Sequence, residues 1–280
     1  MIGSFAAFDH ESELGIESKY VTLSAYAMII FAVAALILEE LGISVPYGRY
    51  SESLGKGWGY KVPARLAWVL MEAPNTIIFI AMLYMAHSKC IHSTPNLFLA
   101  SLFLIHYIHR GFIFPLRMAP TGAPMPIAVM MIALLYCSWN ATMQSCYLFR
   151  THIYEDDWIY DTRFVIGCCL FFLGLACNIH ADSTLLRLKA QKEMESNQGC
   201  AGGYKIPYGG LFEYVSCANY SGEIIEWMGF AIATWSLPGL AFAIMTFCNL
   251  APRGHQHHKW YLKKFENYPK DRKAIIPFIW

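Results

Sequence analysis

Charge is the scarcest property of this chain. Of its 280 residues only 15% are Asp, Glu, Lys or Arg, against 56% hydrophobic. The apolar residues run in long blocks instead of alternating with polar ones, which excludes an ordinary soluble domain. Neither sign of charge prevails, at a net +1, and the basic residues form no stripe, so nucleic acid is not an expected partner. The nine cysteines lack the CxxC spacing of a zinc site and fall mostly inside apolar blocks (Cys137, Cys146, Cys168, Cys169, Cys177, Cys217, Cys248), as packing residues do. A GxSxG elbow and a Walker A motif are missing. So is GxGxxG, because Gly55-Lys56-Gly57-Trp58-Gly59 has the wrong spacing and no strand before it. His255, His257 and His258 lie in a basic tail with no Cys or HExxH helix to complete a site, so no metal is expected. Residues 1–19 are partly acidic and show neither a basic leader nor a cleavage site; the first apolar block is therefore expected to stay as a span.

What is present is a series of windows that meet the length of a membrane-spanning helix, about 20 mostly apolar residues. They lie at Tyr20–Leu38, Ala64–Ala86, Asn96–Phe114, Pro124–Phe149, Phe164–Leu186 and Gly222–Leu250. The expected fold is all-α, a polytopic bundle forming one domain over residues 1–280. Lys and Arg mark cytoplasmic loops. Arg49, Lys56, Lys61 and Arg65 follow the first block, Arg187, Lys189, Lys192 and Lys205 follow the fifth, and Arg253, Lys259, Lys263, Lys264, Lys270, Arg272 and Lys273 follow the last. Both flanks of Gly222–Leu250 are thus cytosolic, which requires an even number of crossings. A hairpin broken at Trp235-Ser236-Leu237-Pro238-Gly239 supplies it, since proline removes a helix hydrogen bond and its predecessor avoids helical geometry. Seven spans follow, with the C-terminus cytosolic; the alternative is one long proline-kinked helix.

Several polar residues sit where lipid cannot solvate them, and intramembrane carboxylates are read by default as functional. Glu223 and Glu226 stand one helical turn apart at the opening of the last block, after the Gly-, Pro- and Tyr-rich stretch YKIPYGGLFEYVSCANYSG. Glu72 and Tyr107 lie inside the second and third blocks. A Tyr hydroxyl held against a carboxylate would stabilise negative charge on a substrate carbonyl, although Glu72 would also fit as a protonated or arginine-paired carboxyl and Tyr107 as a core tyrosine. Arg110, flanked by His106 and His109, has the geometry to grip a phosphate. Asn178 and Asp182, at i and i+4, suit ribose hydroxyls or a carboxamide, or simply an interhelical link. Any nucleotide would have to be held by membrane helices and cytosolic loops, with the tyrosines and basic residues of 187–221 and the tail as its wall.

These motifs, IHYIHR at 105–110, NIHAD at 178–182, YKIPYGGLFEYVSCANYSGEIIEW at 204–227 and FENYPKDRKAIIPFIW at 265–280, give the chain a family likeness. It resembles the steroid 5α-reductases (3-oxo-5α-steroid 4-dehydrogenases) from about Tyr47 to its end. The resemblance implies reduction of the Δ4 double bond of a 3-oxo steroid such as testosterone or progesterone, with NADPH as cofactor, hydride going to C5 and a proton to C4. Glu72 and Tyr107 match the family's catalytic carboxylate and tyrosine. Arg110, Asn178, Asp182, Tyr204, Lys205 (an arginine in some members), Asn219, Glu223, His257 and Tyr261 match positions around NADPH, so that 178–280 would supply most of the cofactor site. Trp68 and Trp227 match positions flanking the steroid. No obligate protein partner is implied; the bilayer would be the endoplasmic reticulum membrane in a eukaryote or the inner membrane in a bacterium. The segment Pro115–Pro126 departs from the family's glycine-containing basic stretch, so Arg117 or Arg49 would have to compensate if NADPH is to be preferred over NADH. The longer loop 191–203 is expected to have a mobile tip. A polyprenal, enoyl thioester or sterol reductase would share the chemistry. A transporter could use the same carboxylates, but the chain shows no repeated halves.

Overall fold

The computed structural model of the chain describes residues 3–41, 58–119, 123–197 and 203–280. Arg49 and the tip of the 191–203 loop lie outside the described residues. Helix α1 (Gly3–Glu40) precedes α2 (Ala64–Tyr84), short α3 (Ser88–His92), α4 (Thr94–Ile108), a π-turn (His109–Ile113), α5 (Phe114–Arg117), α6 (Ile127–Cys146), α7 (Thr162–Asn197), α8 (Ala218–Thr234) and α9 (Leu237–Lys264). Two-residue strands β1 (Lys61–Val62) and β2 (Met125–Pro126) pair antiparallel and tie the ends of α2 and α6 together. The outer surface is apolar, with Leu23, Ile30, Ile77 and Leu135 all more than 60% exposed, while Asn75, Asn96, Asn140, Gln144, Asn178, Asp182 and Glu226 are buried. That inversion suits a lipid surround, and the chain is an integral membrane protein.

Among the described residues five stretches are long and apolar enough to cross a membrane: Glu17–Glu39, Ala64–Tyr84, Thr94–Arg117, Ile127–Thr151 and Thr162–Glu195. The expected count of seven is therefore not established by length and hydropathy. Helix α8 has only 17 residues, and α9 carries Arg253 and three histidines in its second half. The expected hairpin is there, and the single kinked helix is not. Trp235 takes left-handed angles (φ 43°, ψ 42°) that end α8, and Ser236 caps α9 by accepting from the Gly239 amide at 3.1 Å. Pro238 sits in the first turn, where no amide is needed. The two helices run back antiparallel, so that Tyr220 near the start of α8 reaches His257 late in α9 at 3.4 Å.

Helices α7 and α8 meet on glycine. Gly167 and Gly174 face Gly229 and Gly222, each pair seven residues apart, and a Cβ on Gly174 would lie 2.3 Å from the Glu226 amide nitrogen. One on Gly222 would lie 2.5 Å from the Asn178 nitrogen. In lipid, helices associate through such close backbone approach because burial alone gives no drive. The consequence is that polar side chains on the two helices reach each other. The C-terminal segment then folds back under them: Ser216 and Cys217 amides donate to Lys273 and Ala274 carbonyls at 2.8 and 3.1 Å. Buried Arg272 donates to the Pro207 carbonyl at 2.9 Å, with its guanidinium 4.7 Å from the Tyr208 ring.

Candidate active site

Pro115 has no amide hydrogen to give to Gly111, four residues back, and the helix widens just before it into the π-turn, where the Phe114 amide reaches His109 instead. The widened turn carries Arg110 toward α7 and α8. Arg110 Nη1 donates to Asp182 Oδ2 at 2.8 Å and Nη2 lies 3.6 Å from Glu223 Oε2. Asn219 Nδ2 donates to the other Asp182 oxygen at 3.1 Å, and Asn178 Nδ2 to the Asn219 carbonyl at 2.9 Å and Glu223 at 3.4 Å. Five residues of the expected cofactor set thus form one network across the glycine seam. At its centre Arg110 is engaged by two carboxylates, Asp182 and Glu223, whose charge it offsets. Its guanidinium also lies 4.9 Å from the rings of Trp68 and Phe114.

Glu72 and Tyr107 approach the same region from α2 and α4, and no hydrogen bond joins them directly. Each is held by α6 instead. Cys137 Sγ lies 3.7 Å from Glu72 Oε2, and Asn140 Nδ2 lies 3.5 Å from Tyr107 Oη. Cys137 and Asn140 are one turn apart, so α6 acts as a ruler between the two groups. Asn75 reaches Glu72 Oε2 at 3.5 Å, and Gln144 reaches Asn140 at 3.3 Å. None of these partners was expected. The i, i+4 polar pair Asn140 and Gln144 inside an apolar block carried the same signal as Asn178 and Asp182.

Glu226 departs from its sequence neighbour Glu223. It is fully buried and paired with His106 Nδ1 at 2.8 Å, so it fastens α4 to α8 rather than facing the network. Trp227 is equally buried, with Tyr107, His106 and Phe242 at ring distances of 5.7, 4.6 and 4.4 Å. Trp68 is half-buried beside Phe114 at 5.3 Å.

The remaining residues form a second, more peripheral group. Tyr204 meets Trp260 edge-on at 5.0 Å with Lys192 above it, and Lys205 pairs with Glu195 at 2.5 Å. Buried Tyr261 stacks on Tyr268 at 5.2 Å. Tyr220, adjacent to Asn219, links this group to the first through His257. The three tail histidines diverge: His255 stacks on Trp280, His257 meets Tyr220 and His258 bonds Ser216 at 2.6 Å. Among the described residues no three metal-binding side chains converge. Arg117 is bonded to Ser183, next to Asp182, at 2.8 Å.

Residues 123–280 match the family model described as 3-oxo-5-alpha-steroid 4-dehydrogenase. The chain is 46% identical to the human 3-oxo-5-alpha-steroid 4-dehydrogenase 1 over 263 residues, covering 94% of this chain and 96% of that protein. It is 42% identical to the bovine type 1 protein (91% and 95% covered) and 42% identical to the rat 3-oxo-5-alpha-steroid 4-dehydrogenase 2 (89% and 93%). With identity at this level running nearly end to end, the chain belongs to the 3-oxo-5-alpha-steroid 4-dehydrogenase family and is a membrane oxidoreductase that uses a nicotinamide cofactor.

Proposed function

We propose that the protein reduces the Δ4 double bond of 3-oxo steroids to the 5α-dihydro product with NADPH, and that Glu72 and Tyr107 are its catalytic pair. The observation that carries this reading is the approach of these two groups, spaced by one turn of α6, to the Arg110 network on the α7–α8 seam. When bound, the reduced nicotinamide supplies the hydride that adds to C5. Tyr107 donates a hydrogen bond to the C3 oxygen as negative charge grows there, Glu72, as a protonated carboxyl, closes the other side of that oxygen, and a proton from solvent adds to C4 as the C3 carbonyl re-forms. Trp68 and Trp227 provide flat apolar walls for the steroid.

The residues present fit a nicotinamide dinucleotide. Asn178 Oδ1 and Trp68 Nε1 are buried beside the Arg110 network without partners, and buried polar atoms are seldom left unmatched. Asp182 and Glu223 accept hydrogen bonds, so this network suits ribose hydroxyls and a carboxamide. Phosphates would lie further out, among Lys205, Tyr204, His257, Tyr261 and the other basic residues of the tail. Arg117, bonded to Ser183 beside Asp182, is a cation that would favour NADPH over NADH. In this reading residues 1–280 act as one domain, 178–280 supply most of the cofactor site, and the tail and cofactor end face the cytosol from the endoplasmic reticulum or bacterial inner membrane. Titrating purified protein with NADPH and NADH tests the cofactor. Tighter NADPH binding that Asn219→Ala weakens supports it, and equal affinity for the two, unmoved by that change, contradicts it.

A further inference from the structure

We propose that Asn140 and Gln144 are positioning residues that fix the direction of the Tyr107 hydroxyl proton. The proposal rests on the reading of Tyr107 as the donor to the substrate oxygen. Its starting point is a group whose role cannot change: the Pro238 carbonyl can only accept. Gln144 Nε2 lies 2.9 Å from it, which settles which end of the Gln144 amide faces the hairpin. The same amino group reaches Asn140 Oδ1 at 3.3 Å with its second hydrogen. Asn140, with its oxygen thus engaged, presents Nδ2 to Tyr107 Oη at 3.5 Å. Each amide is therefore oriented by the one before it.

The consequence falls on the hydroxyl. Facing Asn140 it meets only donor hydrogens, so its oxygen accepts there and its own proton must turn to an acceptor on the opposite side. Asn140, Gln144 and Tyr107 are 0%, 1% and 5% exposed, so bulk water does not compete for these bonds. A free hydroxyl rotor would spend part of its time with the proton pointing away from the reacting oxygen. This one is set before substrate arrives, which is the condition for effective preorganised stabilisation. It also gives the α8–α9 hairpin a role in the chemistry, because the Pro238 carbonyl at its turn is the fixed end of the relay.

The test is a double-mutant cycle on steroid reduction in detergent. Asn140→Asp is isosteric but places an acceptor opposite Tyr107, which draws the proton away. We expect kcat to fall about tenfold or more, as when a buried charged group misdirects a hydrogen bond, with KM and NADPH affinity near wild type. In a Tyr107→Phe background the same change should have no effect on the residual rate, because coupled residues are not additive. If Asn140→Asp does not fold, as read by melting and cofactor binding, Asn140→Leu removes the donor at similar volume and enters the same cycle. A kcat loss of equal size in both backgrounds would assign Asn140 a merely structural role and overturn the proposal. So would unchanged turnover in both Asn140 variants while Tyr107→Phe is inactive, an outcome that leaves the assignment of Tyr107 standing. Full turnover by Tyr107→Phe would instead remove that assignment, and the proposal with it.

Discussion

Arg110 concentrates the electrostatics of the site in one side chain. It is the cation between Asp182 and Glu223, and removing it leaves buried Asp182 and partly buried Glu223 without a counter-charge. Arg110→Ala is expected to cost about 3–5 kcal/mol of stability, the penalty for breaking a buried pair, and to weaken NADPH binding; denaturant melts with and without cofactor would measure both. Glu72 is different, because its hydrogen-bond partners Asn75 and Cys137 are neutral and Arg110 acts on it only through space. Glu72→Gln keeps its shape, so turnover should fall about a hundredfold or more, the usual worth of a positioned acid–base group, while the NADPH dissociation constant stays put. Normal turnover in that variant would remove Glu72 from the chemistry. At this scale the sequence was legible in part. That Glu72, Tyr107, Arg110, Asn178, Asp182, Asn219 and Glu223 are polar groups in or beside apolar blocks is legible in the sequence, but the contacts they make with one another and with α6 are not. Asn140 and Gln144 carry a polar i, i+4 signal in the sequence, but which face α6 turns inward depends on packing against α2 and α9, so the groups they meet cannot be read from it. Glu226 looked like a second site carboxylate because spacing alone cannot reveal a histidine on a distant helix.

Helix α8 shows why element boundaries mattered more than element composition. Its C-terminal break at Trp235 was legible because the basic flanks called for an even number of crossings and Pro238 offered a place to turn, with one proline-kinked helix as the alternative. The glycine seam with α7 was present as matching seven-residue spacings, Gly167 with Gly174 and Gly222 with Gly229, but a spacing within one helix does not name its partner. Gly174→Ala is expected to destabilise by about 1–3 kcal/mol, the cost of overpacking, and to loosen cofactor binding by parting Asn178 and Asp182 from Asn219 and Glu223. A melting temperature and NADPH affinity equal to wild type would contradict that. At the other end of the bundle, beyond α6, burial lowers the pKa of His152, stacked on Tyr147 at 5.0 Å, below its ordinary value of 6.5. The unfolded chain then takes up this proton first as pH falls. Stability contributed by neutral His152 is complete above about pH 6.5 and is lost on acidification below it. A melting series from pH 8 to 5 should slope downward in that window, and His152→Gln should flatten it.

Over the whole molecule, the bundle supplies an apolar exterior and the C-terminal segment closes the cofactor end. Arg272 holds that segment by its bond to Pro207 and its contacts with Tyr208 and Tyr268. The all-α membrane fold was plain from hydropathy, whereas the return of 265–280 beneath the stretch before α8 was not, since that pairing joins two irregular segments with no periodicity to read. The central claim is that two intramembrane side chains, Glu72 and Tyr107, act on the oxygen of a 3-oxo-Δ4 steroid. The measurement that tests it most directly is conversion of such a steroid by purified wild type and Tyr107→Phe in detergent with NADPH, the product stereochemistry being read by mass spectrometry and NMR. A 5α-dihydro product from wild type, with almost none from a variant that still binds NADPH, is the predicted result; equal product from the two proteins, or NADPH binding without reduction of any 3-oxo-Δ4 steroid, would contradict it.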